Sequence, residues 1–374
     1  MTVSEIRRPA KRRPMFHRLA VVDVERLTED AVAVTFEVPP ALRELFAFRA
    51  GQHLTVRRRD ESGEEIRRSY SICSTPSRLR DEGELRVGIK RVVGGAFSTY
   101  ALSGLAPGDE VDVLPPLGHF TTAFDPQRTR HYAAIVAGSG ITPVLSLAAT
   151  ALATEAKSRF TLVYGNRAAV SVMFAEELAD LKDRHPQRLH VIHVLSREAQ
   201  ESPLLSGRLD EARIGAVLDA LLPAGSVDEW FLCGPQGMVL DAKVALSVRG
   251  VEDSAVHTEL FHVDDAPPAA RSAAPPADAG PEERAEVSIM LDGRATTFTM
   301  AHDERILDAA LRARPELPYA CKGGVCSTCR AKVIEGRVEM ARNFALEPGE
   351  LAAGYVLTCQ AMPITDRVVV DFDA

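Results

Sequence analysis

The chain has 374 residues, 46% of them hydrophobic and 26% charged, the composition of a folded protein of two or three domains rather than of a disordered one. Its 52 acidic and 44 basic residues leave a net charge of -8, without the overall basic footprint of a nucleic-acid binder. No apolar run approaches the roughly 18 residues that a membrane span needs. The expectation is a protein with neither a nucleic-acid nor a membrane partner.

Residues 1–15 form a basic tail, with Arg7, Arg8, Lys11, Arg12 and Arg13. No apolar segment follows them, so a secretory signal is not expected and the cytoplasm is the expected compartment. The six cysteines, at 73, 233, 321, 326, 329 and 359, are then not a disulfide framework.

Residues 16–124 read as short strands: LAVVDVERL, AVAVTFEV, HLTVRRR, IRRSYSIC, ELRVGIKRV and EVDVLPPLG. Alternating β-branched residues between Gly, Pro and Asp turns predict an antiparallel β-barrel or sandwich, the barrel being the fold expected here. Within it, Arg68, Tyr70 and Ser71 share one strand, after Gly51-Gln52 and before Gly94-Gly95-Ala-Phe-Ser98. A flavin needs a cation for its pyrophosphate, a flat ring to stack on and a polar group near its redox nitrogen, which these three residue types supply. Strands also carry Tyr and Ser for ordinary packing. Cys73, beside this run, is expected to pack.

From 125 to 264 strands alternate with helices, predicting an α/β domain with a parallel sheet. Strand 131–137 ends in Gly138-Ser-Gly140-Ile-Thr142-Pro143. Such glycines bring backbone N–H groups and a helix start close to a pyrophosphate, although Pro143 stands where a third glycine would be expected, and an ordinary strand-to-helix turn has the same look. A helix over 144–157, a strand over 160–164, a helix over 173–184 and strands over 189–195 and 230–233 follow. The last strand leads into Cys233-Gly234-Pro235-Gln-Gly237-Met238, so both loops fall on the carboxyl edge of one sheet. A lone cysteine such as Cys233 is by default a small buried apolar group. The second strand ends at Asn166-Arg167, without the acid that favours NADH, and an arginine suits the 2′-phosphate of NADPH. NADPH is therefore expected ahead of NADH. His190 and His193 read as sheet residues.

Residues 265–284 are rich in Ala and Pro without a large apolar side chain, the composition of a semi-rigid, partly extended linker. Residues 285–374 open with VSIMLDGRATTFTM, where Asp292-Gly293 between two alternating runs signals a hairpin. A helix over 304–313 precedes Cys321-Lys-Gly-Gly-Val-Cys326-Ser-Thr-Cys329, with Cys359 thirty positions further on. C-x4-C-x2-C with a distant fourth cysteine is the plant-type [2Fe–2S] spacing, in which small residues let the backbone wrap and aim N–H groups at sulfur. Zinc normally uses two C-x2-C knuckles, and here there is only one, Cys326-Ser-Thr-Cys329.

Taken in order, R-x-Y-S, G-x-x-S, G-S-G-I-T-P and C-G-P-x-G-M resemble the ferredoxin–NADP+ reductase superfamily, with a plant-type ferredoxin domain of β-grasp-like fold at the C-terminus. The resemblance spans 16–374. It implies that Arg68, Tyr70 and Ser71 hold FAD, and that Gly95 and Ser98 seat its pyrophosphate. It implies that Gly138, Gly140, Thr142, Pro143, Arg167, Cys233, Gly234 and Pro235 hold the nicotinamide nucleotide. Tyr70, Ser71 and Cys233 would stand at the reacting atoms. Phe261 would cover the flavin, or simply pack. Cys321, Cys326, Cys329 and Cys359 would ligate the cluster.

The segments LPYACKGGVCSTCRAKVIEGRVEM, RRSYSIC, GNRAAVSVMFAEEL and HVLSREAQ are similar to the reductase components of phenylacetyl-CoA epoxidases, which serve a separate diiron oxygenase. Reductases of Rieske-type steroid ring hydroxylases share the domain order and are the alternative. A redox-sensing regulator is the alternative of another class.

Overall fold

The computed structural model describes residues 15–59, 63, 65–261 and 284–374. The basic tail as far as residue 14 and nearly all of the Ala/Pro-rich segment lie outside the described residues. The chain divides into two compact units, Phe16–Asp265 and Ala266–Ala374.

The first half of the larger unit holds β1 (His17–Thr28), β2 (Ala31–Glu37), β3 (His53–Arg59), β4 (Glu65–Ser71), α1 (Pro76–Glu82), β5 (Glu84–Lys90), α2 (Ala96–Ser103) and β6 (Glu110–Leu117). The six strands, each within a few residues of its sequence-based position, pair antiparallel in the order β4-β3-β6-β1-β2-β5. A bridge from Ile72 to Val87 joins the two ends, closing the sheet into a barrel. β2 shows the alternation at work: Val32, Val34 and Phe36 fill the barrel core, while Ala31 and Ala33 face the second half. α1 is an addition to the elements predicted from sequence, although its signals are present: Thr75 accepts the Arg78 N–H, Pro76 opens the helix and Gly83 closes it at φ +79.

The second half runs β7 (His131–Ala137), α3 (Ile141–Thr154), β8 (Arg159–Asn166), α4 (Ala175–Arg184), β9 (Leu189–Leu195), α5 (Glu211–Leu221), β10 (Glu229–Gly234), α6 (Gln236–Ser247) and β11 (Val256–Leu260). All five strands are parallel, in the order β11-β10-β7-β8-β9. The chain leaves β7 towards β8 and β9, then returns to place β10 on the other side. The switch point lies between the carboxyl ends of β7 and β10, where open α/β sheets bind ligands. Helix α3 begins at Ile141, three residues earlier than the sequence suggests, because Thr142 and Pro143 fit a first helical turn.

The two halves share one core, in which Ala50, Cys73 and Phe120 from the barrel side meet Tyr132, Leu147, Phe174 and Phe231. Polar ties reinforce it. Ser146 Oγ donates to Ser74 O at 2.6 Å, and Arg86, buried on the face of β5 turned to the second half, pairs with Glu25 and with Glu177 of α4. Cys73 is a packing residue: it is 4% exposed, its Sγ donates to Arg86 O, and burial pushes its thiol up to about 12.

The smaller unit holds β12 (Arg284–Leu291), β13 (Arg294–Ala301), α7 (Ile306–Ala313), β14 (Arg330–Glu335), β15 (Val338–Met340), α8 (Pro348–Ala352), β16 (Tyr355–Leu357), β17 (Ala361–Pro363) and β18 (Arg367–Asp371). Its main sheet has the order β13-β12-β18-β14-β16, and Ile306, Leu307 and Ala310 of α7 pack into its core. The expected hairpin is present, with Asp292 and Gly293 at φ 54 and 68, the pair of positive values that a type I′ turn requires. No helix among the described residues is long and apolar enough to cross a membrane.

Candidate functional site

On β4 the side chains alternate. Arg67 is 4% exposed and pairs with Glu65 at 2.6 Å. Arg68, on the opposite face with Tyr70, is exposed, its Nη1 donating to its neighbour's carbonyl, Arg67 O, at 2.7 Å. Tyr70 is half-buried and packs on Phe97 at 5.6 Å between ring centroids. Burial raises its phenol well above the ordinary range, so it stays protonated. Gly95 precedes α2. Ser98 is 3% exposed, and its Oγ accepts the Val92 N–H and donates to Gly95 O, each at 3.1 Å. Its hydroxyl therefore shapes the loop, and the backbone N–H groups at the start of α2 are what the loop presents.

Ser71 is buried at the end of β4, and its Oγ donates to Glu259 Oε2 at 2.9 Å. Glu259 lies on β11 and is the register partner of Cys233 on β10. The structure thus brings Ser71 and Cys233 to one carboxylate. Cys233 is completely buried, and burial together with the Glu259 charge holds its thiol well above its usual range, so it is a neutral group. His53, the register partner of Ser71, has Nδ1 3.9 Å from Glu259 Oε1. Burial, with His119 nearby, brings His53 down to about 4. Sequence reasoning gives neither Glu259 nor His53 a site role, because nothing local in either segment marks the meeting. Phe261 follows β11 and is 36% exposed.

The two glycine loops meet at the switch point. A Cβ on Gly140 would lie 2.1 Å from Cys233 O, so only glycine permits this approach. Thr142 is buried, and its Oγ1 donates to Ser139 O at 3.0 Å, fixing the turn into Pro143 and α3. Tyr164 on β8 donates its hydroxyl to Gly138 O at 3.0 Å, a support for the loop that the sequence does not reveal. Gly234 and Pro235 form the matching turn into α6.

At the end of β8, Asn166 is 8% exposed and its Nδ2 has no hydrogen-bond partner. Arg167 is exposed, and its carbonyl accepts the Arg197 N–H at 2.7 Å, so the segment after β9 brings a second arginine to the same edge. An acid also reaches this loop, since Glu198 Oε2 accepts the Ala169 N–H at 2.8 Å. Arginines beside two glycine loops fit an acceptor-rich dinucleotide.

In the smaller unit, Cys326, Cys329 and Cys359 are buried and Cys321 is partly exposed. The thiols pair two and two. Hydrogen bonding from Cys326 draws Cys321 down to about 7, and hydrogen bonding from Cys329 lowers Cys359. The two donors are raised by those bonds and by burial. The Gly323 N–H donates to Cys321 Sγ at 3.3 Å, in keeping with the small-residue loop. Among the described residues no group of three or more His, Cys, Asp or Glu side chains is arranged to hold a single metal ion. Two converging thiol pairs suit two irons, each taking two cysteines.

Three family models match the chain. The oxidoreductase FAD-binding domain covers residues 18–122, the oxidoreductase NAD-binding domain 134–243 and the 2Fe-2S iron-sulfur cluster binding domain 289–363. One component of the 1,2-phenylacetyl-CoA epoxidase of Escherichia coli strain K12 is 47% identical over 360 residues, covering 96% of this chain and 98% of that protein. The ferredoxin reductase component of 3-ketosteroid-9-alpha-monooxygenase from Rhodococcus rhodochrous is 35% identical over 358 residues, covering 95% and 96%. Among solved structures, phthalate dioxygenase reductase aligns with a TM-score of 0.58 at 23% identity, over 96% of this chain and 98% of that one, a likeness of fold.

Proposed function

The chain belongs to the ferredoxin reductase-type family of oxygenase reductases, built from FAD-binding, NAD-binding and [2Fe–2S] domains, and on that premise we propose that it carries electrons from NADPH to a diiron oxygenase that epoxidises the ring of phenylacetyl-CoA. The observation that carries this reading is the 47% identity to the phenylacetyl-CoA epoxidase component, sustained from end to end of both chains. As an oxidoreductase of this family it takes electrons from a pyridine nucleotide, and it serves an oxygenase partner.

The bound groups supply the chemistry: a nicotinamide gives two electrons as hydride, a flavin accepts the pair, and a [2Fe–2S] cluster accepts one at a time. The chain's residues position and insulate them. Arg68 offers its charge to the FAD pyrophosphate beside the N–H groups before α2, the loop being shaped by Gly95 and Ser98. Tyr70 gives a neutral ring against which the flavin stacks. Ser71, held by Glu259, points a hydroxyl at the reacting edge, and neutral Cys233 lines the nicotinamide side without adding charge. Phe261 shields the flavin. Gly138, Gly140, Thr142, Pro143, Gly234 and Pro235 shape the two loops that receive the nucleotide phosphates, and Arg167 with Arg197 receives the 2′-phosphate. Cys321, Cys326, Cys329 and Cys359 hold the irons. The domains accordingly divide as barrel 16–124, α/β domain 125–264 and ferredoxin domain 285–374.

A Rieske-type steroid ring hydroxylase is the second reading of the partner, favoured by the 35% identity to the ketosteroid monooxygenase reductase. Reconstitution separates the two. The purified reductase with NADPH, oxygen and a phenylacetyl-CoA oxygenase is expected to yield the ring epoxide by mass spectrometry. NADPH oxidation without epoxide, together with hydroxylated steroid when a ketosteroid oxygenase is supplied, would transfer the assignment to the second partner.

A further inference from the structure

Gln360 follows the fourth cysteine and is 1% exposed. Its Nε2 gives one N–H to Lys322 O at 2.9 Å and shares the other between Cys359 O at 2.8 Å and Cys359 Sγ at 3.6 Å. Both close acceptors are carbonyls, so they settle which end of the amide is nitrogen. Its Oε1 is buried without a hydrogen-bond partner, but its backbone and stem are pinned as well. Its backbone N–H donates to Leu357 O at 2.8 Å, and its carbonyl accepts the Ala341 N–H at 3.0 Å. Its aliphatic stem lies under Gly324, where a Cβ would be 3.1 Å from Gln360 Cγ on a backbone at φ +80. Lys322 and Gly324 belong to the loop between Cys321 and Cys326, whereas Cys359 arrives from the far side of β14, β15, α8 and β16. One side chain therefore joins the two segments that carry the thiols.

We propose that Gln360 is a positioning residue of the iron–sulfur centre, clamping the 321–326 loop to Cys359 and directing a side-chain N–H at the Cys359 sulfur. An N–H dipole aimed at a ligand sulfur stabilises the more negative, reduced state, so this contact raises the reduction potential. The inference rests on the four cysteines being the cluster ligands.

Gln360→Met and Gln360→Ala separate the two contributions. Methionine keeps the stem under Gly324 and loses the N–H; alanine loses both. In the full-length protein loaded with flavin and cluster, the Gln360→Met midpoint potential is expected to move to a more negative value in a dye-equilibrated titration. A chelator is expected to bleach its cluster faster, with iron and flavin content unchanged. A Gln360→Met protein that matches wild type while Gln360→Ala does not would reduce the residue to packing and overturn the proposal. Should the variants fail to take up iron, the wild-type protein still decides. Gln360 is the single glutamine between 284 and 374. Protein carrying glutamine labelled with 15N at the side-chain amide is therefore expected to show a 15N coupling in pulsed EPR of the reduced cluster. A normal cluster signal without that coupling contradicts the clamp, and a reduced protein with no [2Fe–2S] signal overturns the ligand assignment itself.

Discussion

Ser71 Oγ donates a 2.9 Å hydrogen bond to Glu259 Oε2 across 188 positions of sequence. Ser71 ends a barrel strand, and Glu259 lies on the last strand of the parallel sheet, beside Cys233. The bond thus ties a barrel strand to the parallel sheet at one largely buried carboxylate, between the residues proposed to face the flavin and the nicotinamide. Ser71→Ala should leave FAD content unchanged and slow flavin reduction by NADPH by roughly 10- to 100-fold, the scale of a misaligned reacting pair. Stopped-flow bleaching of the flavin band measures it, and an unaltered rate would remove Ser71 from the reacting edge.

The Tyr164 hydroxyl holds the Gly138 carbonyl from beneath. Tyr164→Phe keeps the ring in the core and frees that carbonyl. A net hydrogen bond is worth about 1 kcal/mol, so KM for the nucleotide should rise about fivefold with kcat little changed. A fall in kcat at constant KM would mean that the tyrosine acts elsewhere.

Arg167 and Arg197 meet at the carboxyl edge of β8 and β9. Hydrogen bonds to charged groups are worth about 1.5–3 kcal/mol, so Arg167→Ala and Arg197→Ala should each raise KM for NADPH by about 10- to 100-fold. KM for NADH should hardly move. Equal losses for both nucleotides would speak against a 2′-phosphate subsite, and in favour of Glu198 as a ribose acceptor.

Much of this architecture is legible locally. The alternation in AVAVTFEV, the Asp292-Gly293 turn and the C-x4-C-x2-C spacing are short-range patterns, and the structure holds each at its place in the sequence. The helices α1, α5, α6 and α8 are absent from the sequence-based reading. α5 carries its own signals, an Asp210 cap accepting the Arg213 N–H and buried Ile214, Val217 and Leu218 at helical spacing. The roles of Glu259, His53 and Tyr164 are not legible, because their partners come from other strands and no neighbouring residue marks them. Ser98 stands in the first turn of α2, but its hydroxyl faces the backbone of the loop before it, which residue type alone does not reveal.

His53 supplies a pH dependence. Buried against His119 and Glu259, it is neutral in the folded protein until about pH 4, against an ordinary value of 6.5. The unfolded chain therefore takes up the proton first. The associated stability is fully present above pH 6.5 and is lost as pH falls towards 4, by up to about 3 kcal/mol at 1.36 kcal/mol per unit. His53→Gln should flatten the fall of Tm across this window relative to wild type. Parallel curves would show that His53 does not titrate between the two states.

Cys326→Ser removes a buried thiol of the proposed iron centre. It should abolish the cluster's visible absorbance and delivery of electrons to the oxygenase, while NADPH still bleaches the flavin. A cluster retained at full iron content would displace Cys326 from the ligand set.

The order of electron flow, from nicotinamide to flavin to cluster, is tested most directly by one anaerobic stopped-flow experiment on the flavin- and cluster-loaded protein. NADPH should bleach the flavin band first and the cluster bands afterwards, at a rate independent of nucleotide concentration once the flavin is reduced. Cluster bleaching that precedes the flavin, or a flavin that NADPH leaves oxidised, would contradict that order.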